Sequence, residues 1–253
     1  MVSLSPQEDL SMNPIGEKDQ SLFHPVIPFD PGTDRFYPFD FTEQNPELTA
    51  DQIGDTDRFA RYIQSKLIDN HCKYGIGGYN EHRTLYARSS HFDRDLKAGA
   101  SDDNTNTSSP AEPRRLHLGT DIWGPVGTRV FSPLDGIIHS FAFNNHFGDY
   151  GATIILTHQL HGRVFHTLYG HLSLNSLKNL EAGKRISRGE IFTEFGMRFE
   201  NGNWPAHLHF QLILDMQGWE GDYPGVCKFS EKSQWLENSP DPDSILQLNR
   251  YIR

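Results

Sequence analysis

Hydrophobic and polar positions change texture about midway along this chain. From residue 114 the apolar residues come in short β-rich runs bounded by Gly, Pro and Asn, at residues 128–132, 136–143, 153–157, 163–169, 191–195 and 207–214. Helical periodicity is nearly absent there. Six or more short strands at this spacing predict a mainly β fold, an antiparallel sheet or sandwich rather than a parallel α/β sheet. Before this region lies one helical pattern, in which Phe59, Tyr62, Ile63, Lys66 and Leu67 recur at three- and four-residue steps. Thr56 is its candidate N-cap and Gly75 lies beyond its end.

The remaining segments follow no simple period. Residues 1–20 read as a polar flexible tail, and residues 21–41 mix Pro, Asp and aromatics as a strap laid on the main domain. Residues 99–113 have no apolar side chain beyond alanine and read as a mobile loop. The expected organisation is a tail over 1–20, a strap, one N-terminal helix and a loop over 21–113, a core over 114–214, and a wrapped C-terminal extension over 215–253.

Composition narrows the partners. With 17 Phe, 9 Tyr and 4 Trp and an ordinary charged fraction of 22%, most of the chain should fold. A formal net charge of −10 excludes nucleic acid and an anionic membrane surface as the main partner. No apolar run approaches the ~20 residues of a membrane helix. The first 20 residues lack the basic start and apolar centre of a signal peptide, so a cytoplasmic chain is expected. Cys72 and Cys227 lack the spacing of a thiolate zinc site and read as two buried free thiols.

The candidate chemistry lies in three histidine clusters. In His117-Leu118-Gly119-Thr120-Asp121 an imidazole and a carboxylate sit four residues apart, on one face whether the segment is extended or helical. In His207-Leu208-His209-Phe210 strand alternation puts both imidazoles on one face and the apolar pair on the other. Tyr169-Gly170-His171-Leu172 ends a strand-like run and offers a third imidazole at the edge of the same sheet. Two histidines and a carboxylate leave the fourth position of a tetrahedral zinc open, as hydrolysis requires. Bound zinc acidifies water and polarises a carbonyl, and a neighbouring neutral imidazole manages the proton. His146, His158, His161 and His166 read as structural or solvated, and Asp135 as a turn residue. The residues alone do not choose between His207 and His209 as the ligand.

The ordered run HLGTD, GPVGTRVFSPLDGII, GDYGATIILTH, TLYGHL, AGKRISRGEIFTEFG and HLHF resembles the LytM/lysostaphin family of zinc metalloendopeptidases over roughly residues 115–214. The resemblance implies the duplicated hybrid motif fold, an antiparallel β structure with an open groove whose floor carries one zinc per chain. It implies His117, Asp121 and His209 as ligands and His171 and His207 as the paired catalytic histidines. It also implies peptide or peptidoglycan-like substrates. Asn203 and Trp204 stand where the family usually reads Ser/Thr-Gly-Pro, which rebuilds one groove wall around an indole. The flanks resemble a subgroup found as modules of larger intracellular proteins, for which a non-wall amide is the alternative substrate.

In residues 77–83 a Gly-Gly turn presents Tyr79, Asn80, Glu81 and Arg83, either lining the groove and binding a substrate carboxylate or forming a capped hairpin with a surface ion pair. Three other readings compete: a non-catalytic binding or regulatory module, a non-haem iron site and a cupin. The five intact site positions disfavour the first. The spacing of His117 and Asp121 disfavours the second, and the lack of a suitably placed glutamate after His209 the third.

Overall fold

A computed structural model describes residue 15 and residues 21–93 and 112–252. The expected tail over 1–20 and loop over 99–113 fall almost wholly outside these residues. The strands are β1 (Phe36–Phe39), β2 (Tyr74–Gly77), β3 (Leu116–His117), β4 (Thr120–Trp123), β5 (Arg129–Phe131) and β6 (Gly136–Asn144). They continue as β7 (Gly151–Leu160), β8 (Arg163–Leu172), β9 (Arg185–Ile186), β10 (Ile191–Glu194), β11 (His207–Ile213) and β12 (Val226–Cys227). Helices α1 (Ala50–Gly54) and α2 (Thr56–Asp69) lie between β1 and β2, and α3 (Lys232–Asn238) and α4 (Asp243–Leu246) follow β12.

Eight strands form one sheet in the order β1-β2-β4-β11-β8-β7-β6-β9, with two-stranded sheets β10-β5 and β12-β3 beside it. The large sheet is antiparallel except at its edge, where β1 runs parallel to β2. A parallel neighbour needs a crossover, and α1 and α2 supply it. Strand β1 escapes a reading by period because FYPF shows no alternation; its Pro38 is tolerated because the strand is an edge. Strands β2 and β4 escape it too, being buried at every position and so without alternation.

Helix α2 differs from expectation at its start. Asp55, not Thr56, is the N-cap: its carboxylate accepts from Arg58 N at 2.9 Å, while the Thr56 hydroxyl donates to the Asn203 carbonyl at 3.0 Å. Its C-cap is Asn70, and Gly75 lies beyond its end as expected, inside β2. The expected single N-terminal helix is a pair, with the five-residue α1 preceding α2.

The two faces of the sheet bury different clusters. Leu208, Phe210 and Leu212 of β11 join Ile122, Ile154, Leu156 and Tyr169 on one face. On the other, Trp123 packs with Phe39, Phe41, Phe59, Tyr86 and Trp204, so the N-terminal segment covers the face toward which His207 and His209 point. Ile245, Leu246 and Leu248 of the C-terminal extension close the first cluster. Cys72 and Cys227 are buried and unbridged. No helix among the described residues is long and apolar enough to cross a membrane.

Candidate metal centre

Register assembles the first part of the site. Strand β11 lies between β4 and β8, with His209 opposite both Asp121 and Gly170. His117 closes β3, and Gly119 takes the chain from there into β4. A Cβ on Gly119 would lie 2.5 Å from His209 Cε1, so glycine is required there for close approach.

His117 Nε2, Asp121 Oδ1 and His209 Nδ1 converge. The separations are 3.0 Å between the imidazole nitrogens, 3.3 Å from His117 to Asp121 and 3.2 Å from His209 to Asp121. All three residues are buried. Their outer atoms reveal the proton positions. His117 Nδ1 lies 2.9 Å from the Gly78 carbonyl, which can only accept, so Nδ1 carries the proton. The Gln211 amide nitrogen donates to the Pro224 carbonyl at 3.1 Å and Ser239 Oγ at 2.9 Å, which turns Gln211 Oε1 toward His209 Nε2 at 3.0 Å. His209 therefore donates through Nε2. Asp121 Oδ2 accepts from Arg83 Nη1 at 2.5 Å. Three lone pairs are left facing one point with no proton between them. Their spacing matches the roughly 3.3 Å between donors of a tetrahedral zinc with bonds near 2.05 Å. The donor set fits that ion.

Charge on the groups agrees. Burial works against ionisation of Asp121, but His117 and the Arg83 guanidinium outweigh it and hold the carboxyl well below its ordinary value. Burial, then the Arg83 charge, draws His117 down to about 4.

Two further histidines face the same space. His207 stacks on Trp123 with ring centroids 4.0 Å apart, and His171 lies 4.1 Å from His207. Strand alternation would send His171 with Tyr169 into the opposite core. A left-handed backbone at His171 (φ 63°), a conformation rare outside glycine, turns the ring toward His207 instead. His171 Nδ1 donates to the Asn201 carbonyl and His207 Nδ1 to the Pro205 carbonyl, both at 2.8 Å, so each Nε2 carries a lone pair. Burial lowers both pKa values, that of His207 to about 4.

Asp121, His171, His207 and His209 border a cavity walled also by Tyr86, Tyr150, Trp204 and Trp219. Arg83 and Trp204 of the expected groove residues reach it; Tyr79, Asn80, Glu81 and Asn203 do not. Tyr79 donates its hydroxyl to the Ser239 carbonyl, Asn80 N donates to the His117 carbonyl, Glu81 accepts from Phe41 N, and the Asn203 carbonyl accepts from Thr56. The expected substrate-carboxylate clamp at Arg83 is corrected too. That guanidinium is 1% exposed and is directed at Glu81, Asp121, Tyr86 and the Gly78 carbonyl, so the ion pair is neither at the surface nor free for a ligand.

Sequence reasoning missed Tyr150, whose hydroxyl is 3.4 Å from His209 Nε2, and Gln211. It also missed Arg114, Asp149 and Asp222, which line the same cavity. Burial first and then Asp222 push Asp149 up to about 7. Of these, Asp149 and Tyr150 carried a signal, their place in the GDYG run.

Comparison with known proteins decides what this arrangement belongs to. Residues 115–220 match Peptidase family M23. These residues form a peptidase M23 domain. Over 123 residues the chain is 31% identical to Peptidoglycan DD-endopeptidase ShyA of Vibrio cholerae serotype O1, covering 45% of this chain and 26% of that protein. An uncharacterized metalloprotease of Haemophilus influenzae is 35% identical over 113 residues, 44% of this chain and 22% of its own. The chain thus spans about a quarter of these relatives' length. Among solved structures, the catalytic domain of lysostaphin from Staphylococcus simulans is 26% identical with a TM-score of 0.36, covering 53% of this chain and 80% of that one. All five histidine and aspartate positions of the site lie inside the M23 match.

Proposed function

We propose that this chain is a zinc metalloendopeptidase in which His117, Asp121 and His209 hold one zinc ion and His171 and His207 move the proton. The observation that carries this is the convergence of three unprotonated donors beside two imidazoles that each present a bare Nε2 to the same cavity. Zinc at that point would supply Lewis acidity toward a carbonyl oxygen and an acidified water. Everything else comes from the chain. A neutral Nε2 can only accept, so His171 or His207 begins as the base toward water. The ring that takes the proton becomes a donor and passes it to the leaving amide nitrogen. The carbonyls of Asn201 and Pro205 hold each ring by its Nδ1–H and stabilise its protonated form. Tyr150, kept a phenol by burial, offers a hydroxyl near His209. Trp204 and Tyr86 form apolar walls that limit water around the reacting amide.

The DD-endopeptidase relatives support peptidoglycan-type peptides as the substrate class. The test is a mass-spectrometric screen of the zinc-loaded chain on peptidoglycan fragments and on simple Gly- and Ala-containing peptides, with Asp121→Ala and His171→Ala as controls. Cleavage lost in both variants is expected. No cleavage of any peptide with one zinc bound would overturn the endopeptidase reading.

A further inference from the structure

Each of the three metal-facing donors is gripped from behind, and two of the three grips come from outside residues 115–220. Gly78 O holds His117 Nδ1, and Arg83 Nη1 holds Asp121 Oδ2, both from the segment before the M23 match. Gln211 holds His209 Nε2 and is itself held by Pro224 O and Ser239 Oγ, from the segment after it. We propose that the two flanking segments form the outer shell of the metal site, with Arg83 as the positioning residue that leaves Asp121 a single ligating oxygen. The proposal rests on the zinc reading above.

A carboxylate offers two oxygens to a cation unless one is claimed. Arg83 claims Oδ2 with Nη1, and its remaining donors are fixed by Glu81 through Nε at 2.6 Å and by the Gly78 carbonyl through Nη2 at 3.1 Å. The rings of Phe41 and Tyr86 flank the guanidinium at 5.1 and 5.9 Å. Gly77 must be glycine for this, since a Cβ there would lie 2.8 Å from Nη2. The fork therefore cannot swing away from the carboxylate. A buried ion pair of this kind is weak as a source of stability, because apolar residues of like volume usually replace it without loss. What it supplies is orientation. Ser239 plays the matching part at a distance: without its hydroxyl the Gln211 amide loses one of two anchors, and the oxygen facing His209 loosens.

Positioning and electrostatics predict opposite outcomes. A guanidinium this near a dication repels it, so a purely electrostatic Arg83 would weaken zinc, and its neutralisation would tighten binding. Positioning predicts the reverse. The experiment measures zinc affinity of the full chain by chelator competition, together with the visible absorption of the cobalt(II)-loaded protein. Arg83→Met is expected to weaken zinc by roughly 10–100-fold and to lower the cobalt absorptivity, as Asp121 brings in its second oxygen. Ser239→Ala, which removes no charge and keeps the fold if Arg83→Met does not, is expected to weaken zinc measurably with Asp121 coordination unchanged. Unchanged or tighter zinc with an unaltered cobalt spectrum in Arg83→Met, or unchanged zinc in Ser239→Ala, would overturn the proposal while leaving the zinc reading intact. A wild-type chain that takes up no zinc would remove both.

Discussion

Replacing Gly119 by alanine tests whether the metal-facing triangle depends on one missing methyl group. The added Cβ would sit 2.5 Å from His209 Cε1, 2.6 Å from its Nε2 and 2.8 Å from the Phe210 carbonyl oxygen. Ordinary carbon contacts are about 3.5 Å, so the imidazole must retreat by roughly 1 Å or the β3–β4 corner must open by as much. Neither is free. His209 is tied to Gln211 on one side and belongs to central strand β11, whose backbone is paired on both edges. Overpacking of this kind costs about 1–3 kcal/mol. For a chain of this length that lowers the melting temperature of the metal-free protein by about 2–12 °C. A donor displaced by roughly 1 Å also leaves the tolerance of about 0.2 Å for a zinc bond, so affinity should fall at least tenfold. Thermal unfolding with chelator present and zinc competition without it read the two effects separately. Gly54→Ala in α1 is the control: its Cβ meets nothing within 4 Å, and it should be neutral or slightly stabilising. Equal melting temperatures and equal zinc affinity for Gly119→Ala and wild type would refute the close-approach argument.

Three further outcomes follow from the same geometry. His171→Ala should lower the rate of amide hydrolysis by roughly 10²–10⁴-fold while zinc content stays at the wild-type level, measured by peptide cleavage beside metal analysis. Asp121→Ala should destabilise even the metal-free protein, by about 3 kcal/mol in denaturant unfolding, because it strips the buried Arg83 of a partner; Asp121→Asn, which can still accept from Arg83, should cost less. Asp149 is protonated more readily in the folded chain, at about 7, than at its ordinary value of 3.8. Its contribution to stability is therefore complete below about pH 4 and lost as pH rises through 7. Melting temperatures of Asp149→Asn and wild type should coincide near pH 4 and separate in favour of the variant up to about pH 8. A constant difference across that range would contradict the assigned environment.

Much of the core was legible in the chain because its cause is local. The strands at 136–144, 151–160, 163–172 and 207–213 alternate or run apolar between turn residues, and each appears within a few positions of its expected bounds. The HLHF run made two histidines share a face, which needs nothing beyond the period of a strand. The metal-facing trio could be listed from the resemblance, residue by residue.

Other features depend on where distant segments meet. Arg83 reads from sequence as a charge in a turn, and only the fold places it at 1% exposure against Asp121, 38 positions away. No periodicity announces that β1 becomes a parallel edge strand, since pairing satisfies its backbone rather than its side chains. His171 shows the limit most plainly. Alternation assigns it to the wrong face, and its left-handed backbone is imposed by bonds on either side, from its own N–H to the Tyr150 carbonyl and from Gly196 N to its carbonyl. Sequence determined which imidazoles and carboxylates are candidates for a metal site and for proton transfer, because strand period and residue chemistry are carried by neighbours along the chain. Tertiary structure decided which protons those side chains carry and which atoms they turn inward, because the carbonyls, amides and guanidinium that settle it arrive from elsewhere in the fold.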